Sequence, residues 1–184
     1  MIGFVFAPSK RQIAVGNASD ICRNVKGVAK VGVFVDAPFV DVINIAHQCR
    51  LDFVQLHGSE SPDYCRQMTI PVIKALRINE DFAIGLADEF QADYILCDSF
   101  VPGCQGGSGV AFNWQKAKPS LQKIKTPILV AGGLNAYNIK TAICSLNPSG
   151  VDVSGGVETD GAKDGEKIRE FIKAVRAAEG GSNA

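Results

Sequence analysis

The stretch 128–156, ILVAGGLNAYNIKTAICSLNPSGVDVSGG, contains two short apolar runs with a helical pattern between them, and paired glycines follow each run. The runs are Ile128–Val130 and Val151–Val153. Short runs rich in Val and Ile are typical of strands in a parallel sheet that is covered by helices. The stretch therefore predicts a strand–helix–strand unit with parallel strands, and a glycine-rich turn after each strand.

The same alternation extends along the whole chain. Earlier strands are predicted at Ile2–Phe6, Val31–Val35, Phe53–Leu56, Val72–Leu76 and Tyr94–Cys97. Helices are predicted at Ala18–Asn24, Val40–Cys49, from Pro62 onward, and at Asp81–Phe90, Trp114–Lys118, Ala136–Cys144 and Lys163–Ala178. Asn17 and Ser19 are the candidate caps of the first of these helices, and Ser61 is the predicted N-cap of the helix that starts at Pro62. The seven predicted strand–helix units are more than the strands of a flavodoxin-like sheet and one fewer than the eight units of a closed barrel. We expect an α/β fold of the (β/α)₈ TIM-barrel type, with residues 1–178 as a single incomplete barrel domain and 179–184 as a flexible tail.

Composition excludes several classes of protein. Lys plus Arg equals Asp plus Glu at 19 each, so the chain lacks the excess of basic residues that proteins binding nucleic acids or membrane surfaces carry. No apolar run approaches the roughly 20 residues of a membrane helix, and the apolar start lacks a signal-peptide pattern. The cysteines are Cys22, Cys49, Cys65, Cys97, Cys104 and Cys144. Their scattered spacing predicts reduced, mostly buried thiols in a cytoplasmic protein, without a metal site or disulfide framework.

The glycine pairs are the most informative candidates for a binding site. In a parallel barrel the active site lies at the carboxyl ends of the strands, and a phosphate is often held after the last two. Gly132-Gly133 and Ser154-Gly155-Gly156 stand at those places, where glycine lets backbone N–H groups approach phosphate oxygens. Each pair alone is equally consistent with a tight turn or helix cap, but the two together favour a phosphate site.

Four polar residues also follow predicted strands or lie at their ends. Asp98 precedes a glycine-rich loop, where a desolvated carboxyl suits general acid catalysis, although an N-cap or ion pair is equally plausible. Arg11 has the geometry to clamp a substrate carboxylate, or is a solvated loop residue. His57 either binds substrate or is a structural histidine. Asp152 is a second polar group in the barrel mouth, or the buried partner of a basic side chain.

Taken together, the motifs resemble the phosphoribosylanthranilate isomerase family over essentially the whole chain. They are VQLHG at 54–58, GGSG at 106–109, AGGLN at 131–135 and VDVSGGVE at 151–158. The resemblance implies an Amadori rearrangement of N-(5′-phosphoribosyl)anthranilate in tryptophan biosynthesis, with neither metal nor cofactor. In that reaction an acid protonates the furanose ring oxygen and a base removes the C2′ proton.

The resemblance also implies roles for individual residues. Asp98 matches the general acid, and Arg11 matches the group that binds the anthranilate carboxylate. His57 and Asp152 match positions that line the substrate site. The phosphate cradle matches Gly132, Gly133, Ser154, Gly155 and Gly156.

The family's general base is the point of departure. It is a cysteine in a Lys-x-Cys-Gly motif at the end of the family's first strand, whereas this sequence begins at the family's second strand. Cys97 should face away from the barrel interior because it adjoins Asp98, so Cys104 is the thiol expected nearest the substrate. The alternative function is an inactive or weakly active fragment that only binds phosphorylated ligand. Unpaired edges at the first and last strands also predict one of two outcomes, either association through the gap as a homodimer or marginal stability with aggregation.

Overall fold

The computed structural model describes residues 1–78, 84–99 and 111–180. Seven strands form one sheet in chain order. They are β1 (Ile2–Val5), β2 (Lys30–Phe34), β3 (Phe53–Leu56), β4 (Val72–Ile78), β5 (Tyr94–Ser99), β6 (Ile128–Val130) and β7 (Gly150–Val151). The helices are α1 (Val15–Asn24), α2 (Phe39–Cys49), α3 (Pro62–Arg66), α4 (Trp114–Leu121), α5 (Ile139–Leu146) and α6 (Gly165–Gly180). Two 3₁₀ helices cover Ile84–Phe90 and Gly155–Val157, and a hairpin joins β8 (Glu158–Thr159) to β9 (Ala162–Lys163).

Strand order and direction distinguish the barrel type from other parallel folds. Neighbouring strands pair in parallel, for example Val31 with Phe53, Val54 with Val72 and Leu129 with Gly150. A doubly wound sheet reverses its order near the middle, whereas consecutive order from β1 to β7 is the arrangement of a (β/α)₈ barrel. The predicted fold class is confirmed.

The chain divides into two compact units. The first contains Met1–Ala75 and Asp88–Ile95, and the second contains Leu76–Ala87 and Leu96–Ala184. In the first unit, strand side chains such as Phe34, Val54 and Leu56 are buried with the inner faces of α1 and α2. Phe6 and Phe34 stack with ring centroids 5.2 Å apart. In the second unit α5 packs against both α4 and α6.

Several element boundaries differ from the predicted ones. Helix α1 begins at Val15 and not at Ala18. Ser19 therefore lies within the helix, where it is buried and donates to the Gln48 carbonyl oxygen at 3.2 Å instead of capping the helix. Strand β5 continues through Ser99, and β7 ends at Val151, so Asp98 lies within a strand and Asp152 follows one. The predicted cap at Ser61 is present, since its hydroxyl accepts from the Tyr64 N–H at 3.2 Å.

Three further elements depart from the sequence-based expectation. The structure has a 3₁₀ helix at Ile84–Phe90 within the predicted helix at 81–90. Helix α6 extends to Gly180, two residues beyond the predicted domain end at 178. The β8–β9 hairpin was not predicted, because strands of two residues each carry no detectable alternation.

Most cysteines in the described part of the chain are inert thiols of the core. Burial raises the pKa of Cys97 to about 12 and that of Cys65 to about 11, and it raises the pKa of Cys22 and Cys49 as well. Cys144, on α5, is exposed. The five described cysteines are free thiols in this structure, and Cys104 lies outside the described residues.

We therefore expect a large difference in reactivity between Cys144 and Cys97. Only the thiolate reacts, and the raised pKa of Cys97, about 12 against an ordinary 9.0, makes its thiolate fraction roughly a thousandfold smaller. Timed alkylation near about pH 7.5, read by peptide mass spectrometry, should label Cys144 first and Cys97 only slowly, with the Cys97 rate rising as pH rises. A Cys144→Ser variant serves as control, and rapid labelling of Cys97 in the folded protein would contradict the assignment.

Candidate active site

The end of β5 places Asp98 in the second unit. Its side chain is 6% exposed, and one carboxylate oxygen accepts from the Ser99 N–H at 2.8 Å. The N–H of Ala131 donates to the Cys97 carbonyl oxygen at 2.9 Å, so the loop after β6 stays against the end of β5. Asp98 is thus a buried carboxylate held in a fixed orientation beside the first glycine pair.

Asp152 directly follows β7, two strands beyond β5, and is exposed. Its N–H donates to the Val130 carbonyl oxygen at 2.8 Å, which continues the pairing of β7 with β6. The carboxyl ends of β5, β6 and β7 therefore carry Asp98, the first glycine pair and Asp152, in that order.

The first glycine pair has a steric reason to be glycine. Gly132 and Gly133 have φ of +83° and +63°, in the left-handed region that favours glycine. A Cβ on Gly132 would overlap Ser99 and come within 2.6 Å of its backbone nitrogen. This segment is therefore a tight turn that also packs closely against the end of β5.

The second glycine pair lies against the loop after β6. Gly155 and Gly156 are in the 3₁₀ helix, and a Cβ on Gly156 would overlap the Leu134 carbonyl group, whose carbon would be 2.9 Å away. The structure thus brings together the two glycine loops that the sequence places 21 residues apart at their closest, from Gly133 to Ser154.

Two asparagines fix the loop between β6 and α5. Asn138 donates through its side chain to the Gly133 carbonyl oxygen and accepts from the Asn135 N–H, both at 2.9 Å. The Asn135 side chain accepts from the Tyr137 N–H at 2.9 Å. Asn138 was not singled out in the sequence, although asparagine just before a helix commonly binds nearby backbone groups in this way.

A lysine from the β8–β9 hairpin reaches the second glycine loop. The ammonium group of Lys163 donates to the backbone oxygen of Ser154 at 2.9 Å, to its hydroxyl at 3.1 Å and to a Glu158 carboxylate oxygen at 2.9 Å. Because the unpredicted hairpin brings Lys163 back to Ser154, spacing along the sequence gave no signal for this positive charge.

The remaining two predicted residues are in the first unit. Arg11 is half-buried in the turn after β1, where its N–H donates to the Ser9 hydroxyl at 3.2 Å. The N–H of Ile13 donates to the Val5 carbonyl oxygen at 2.9 Å, so this turn is closed onto the strand that precedes it.

His57 directly follows β3 and is half-buried. Its N–H donates to the Phe34 carbonyl oxygen at 2.8 Å, and its ring Nδ1 lies 3.0 Å from the side-chain nitrogen of Gln55. When the Gln55 amide donates, the neutral ring carries its hydrogen on Nε2. The backbone and the ring of His57 are therefore each held by a separate strand residue.

A buried ion pair lies next to His57 and was missed in the sequence. Lys74 on β4 and Glu60 have side chains that are each 2% exposed, and their charged atoms are 2.7 Å apart. A lysine in the middle of the apolar run Val72–Leu76 was the available signal, because a lysine is almost never fully buried unless it is paired.

Within residues 1–78, 84–99 and 111–180, no group of three or more His, Cys, Asp or Glu side chains has the arrangement to hold a metal ion. In the same ranges no helix is both long and apolar enough to cross a membrane.

The chain matches a protein-family model and curated proteins. The family model for N-(5′-phosphoribosyl)anthranilate (PRA) isomerase matches residues 1–174. The N-(5′-phosphoribosyl)anthranilate isomerase of Oceanobacillus iheyensis is 47% identical over 178 residues, which are 96% of this chain and 86% of the relative.

Solved structures give the same assignment. The phosphoribosyl anthranilate isomerase of Thermotoga maritima superimposes with a TM-score of 0.85 at 35% identity, covering 95% of this chain and 87% of that one. A phosphoribosyl anthranilate isomerase in complex with reduced 1-(o-carboxyphenylamino)-1-deoxyribulose 5-phosphate has a TM-score of 0.81 at 33% identity, over 95% of this chain and 86% of that one. By sequence and by structure, the chain belongs to the N-(5′-phosphoribosyl)anthranilate isomerase family.

Proposed function

We propose that this chain catalyses the Amadori rearrangement of N-(5′-phosphoribosyl)anthranilate, a step of tryptophan biosynthesis, by general acid and base catalysis. The observation that carries the proposal is the buried carboxylate of Asp98, held at the end of β5 against the turn that contains Gly132. Membership of the family, at 47% identity to a curated isomerase, supplies the reaction.

Asp98 is the proposed general acid. It donates a proton to the furanose ring oxygen, the bond between that oxygen and C1′ breaks, and the anthranilate nitrogen forms a protonated imine with C1′. Removal of the C2′ proton then gives an enolamine, which tautomerises to the ketone. The hydrogen bond from the Ser99 N–H fixes the orientation of the carboxyl group and so reduces the cost of aligning it with the substrate.

The two glycine loops are the proposed phosphate site. Gly132, Gly133, Gly155 and Gly156 leave backbone N–H groups unshielded by a Cβ, and Ser154 adds a hydroxyl. Lys163 contributes a positive charge at hydrogen-bond distance from Ser154, which favours an anion nearby. The solved relative that is described in complex with a deoxyribulose 5-phosphate derivative supports a phosphorylated ligand.

Arg11, His57 and Asp152 are proposed to bind the rest of the substrate. A guanidinium such as that of Arg11 suits the anthranilate carboxylate because it forms two parallel charge-assisted hydrogen bonds. His57 and Asp152 supply hydrogen bonds to the ribosyl hydroxyls, and no metal or cofactor takes part in these steps.

A cytoplasmic location fits the unpaired thiols of the described residues.

A second candidate function is binding of a phosphorylated ligand without turnover. The observation that favours it concerns the general base. Among the described cysteines, Cys97 adjoins Asp98 but is fully buried with its pKa raised to about 12, so it holds almost no thiolate near neutral pH. Turnover of N-(5′-phosphoribosyl)anthranilate by the 184-residue chain distinguishes the two functions, because a binder gives saturable ligand binding with no product.

The first test of the isomerase proposal is Asp98→Asn. The amide keeps the size of the side chain but cannot donate the proton, so kcat should fall by about 10²- to 10⁴-fold with little change in ligand affinity. Steady-state fluorescence of the anthranilate group measures turnover. Asp93→Asn, which changes a carboxylate at the start of β5, is the matched control, and a loss below about tenfold in Asp98→Asn would assign ring opening to another group.

The second test is Gly156→Ala. The new Cβ overlaps the Leu134 carbonyl group, so the two glycine loops must separate and the KM for phosphorylated substrate should rise by about tenfold or more. Inorganic phosphate should likewise protect the variant less against thermal unfolding. Gly165→Ala is the control because its Cβ meets only Arg169, at 3.8 Å, and equal KM values for the two variants would count against the phosphate site.

We also propose that this chain forms a homodimer through the open edges of its sheet. Strands β1 and β7 are the two ends of the described strand order, and Ile2 on β1 is 37% exposed. An exposed apolar edge strand is a template for pairing with another chain. A solved structure of generated monomers of the phosphoribosylanthranilate isomerase from Thermotoga maritima describes the parent enzyme as dimeric, which supports association of two copies.

Ile2→Lys tests this association, since a charged side chain on an edge strand disfavours edge-to-edge pairing. Light scattering should give a dimer mass for the parent chain and a monomer mass for the variant. Ile172→Lys, at a similarly exposed apolar position on α6 (44% against 37%), should leave the mass unchanged. A monomeric parent chain would exclude the homodimer.

A further inference from the structure

The buried pair of Lys74 and Glu60 lies around His57, a residue of the first unit that is proposed above to hydrogen-bond the substrate. The ammonium group of Lys74 donates to the Leu56 carbonyl oxygen at 3.2 Å, to the Gly58 carbonyl oxygen at 2.7 Å and to Glu60 at 2.7 Å. An ammonium group has three N–H donors, so all of them are used. Leu56 and Gly58 are the two chain neighbours of His57, and one charge therefore binds the backbone on both sides of it.

Glu60 ties the same turn to the end of β2. Its carboxylate accepts from the Gly58 N–H at 3.0 Å and from the Asp36 N–H at 2.9 Å. Asp36 in turn accepts from the Ser59 N–H at 2.6 Å and has φ of +48°, an uncommon conformation for a residue other than glycine. The turn from His57 to Glu60 is thus bound to both neighbouring strands through buried charge.

Close packing makes this turn intolerant of other arrangements. A Cβ on Gly58 would overlap the Asp36 side chain and come within 2.7 Å of its backbone nitrogen. The Phe90 ring centroid lies 5.6 Å from the Lys74 nitrogen, so an aromatic group covers the ammonium as well.

Stability alone is a weak reason for such a pair. Removing two charges from water costs free energy that their attraction often fails to recover, and well-packed apolar residues of similar volume are frequently as stable. A buried pair that makes so many directed hydrogen bonds instead specifies one geometry, here that of the chain around His57.

We propose that Lys74 and Glu60 are positioning residues that fix the His57–Gly58 turn and so hold the His57 ring in a single orientation toward the substrate. The catalytic part of this inference rests on the isomerase function proposed above, whereas the conformational part does not. Neither Lys74 nor Glu60 contacts the substrate in this proposal, because both side chains are only 2% exposed.

The test compares the double variant Lys74→Met/Glu60→Leu with the parent chain by NMR of histidine ring nitrogens. The chain has two histidines, and His47 on the exposed face of α2 is an internal reference. The apolar pair keeps the core filled without an unpaired charge, so the variant should fold. Its His57 ring signal should broaden or split while that of His47 is unchanged, and kcat/KM should fall by up to about 100-fold, because a small misplacement of a group that contacts the substrate can cost that much.

Two further variants keep the result interpretable. Lys30→Met removes the lysine of the more exposed pair between Lys30 and Asp52, at 3.8 Å, and should leave the His57 signal and kcat/KM unchanged. Glu60→Gln keeps a hydrogen-bonding side chain and should restore most of the activity lost in the double variant. Lys74→Met alone, which removes the hydrogen bonds to the Leu56 and Gly58 carbonyl oxygens, takes the place of the double variant in the NMR comparison if that variant fails to fold.

The NMR result decides the proposal independently of the isomerase assay. A broadened or split His57 signal with an unchanged His47 signal supports it even if the parent chain has no turnover, a result that would contradict only the isomerase function. A single, unshifted His57 signal in the folded double variant overturns it, whatever the activity.

Discussion

Parallel pairing of consecutive strands is the constraint on which the candidate site depends. Because neighbouring strands run in one direction, each carboxyl end opens at the same edge of the sheet, and the loop after each strand begins beside the loop after its neighbour. The hydrogen bonds from Ala131 to Cys97 and from Asp152 to Val130 continue this pairing past the strand ends. A carboxylate, a glycine turn and a second carboxylate become neighbours in this way, although more than 50 residues separate Asp98 from Asp152.

The two units hold their strand-end loops by different means. In the second unit the loops meet by close backbone packing, and Gly132 and Gly156 are needed because any side chain there would overlap a neighbouring strand or loop. In the first unit the turn after β3 is held by buried charge, through Lys74 and Glu60. Packing of this kind excludes side chains where the loops meet, whereas the ion pair binds backbone oxygens on both sides of His57.

The sequence predicted the elements better than the interactions between them. All seven strands were found because buried parallel strands carry their apolar pattern locally, and the cap at Ser61 was found because a cap is a contact between residues three apart. Lys74, Asn138 and Lys163 were missed because their roles depend on partners in other elements or in an unpredicted hairpin. The position of Lys74 in an apolar run was the one local sign that a buried partner existed.

Buried charge and buried thiols have opposite consequences in this core. Desolvation raises the pKa of Cys97 and Cys65 and suppresses the thiolate that a base or nucleophile needs. The side chains of Lys74 and Glu60 are buried as well, yet every N–H of the ammonium has an acceptor and both carboxylate oxygens have donors. Burial therefore does not by itself make a group inert. It makes function depend on partners, and such partners surround the turn of His57 and the carboxylate of Asp98.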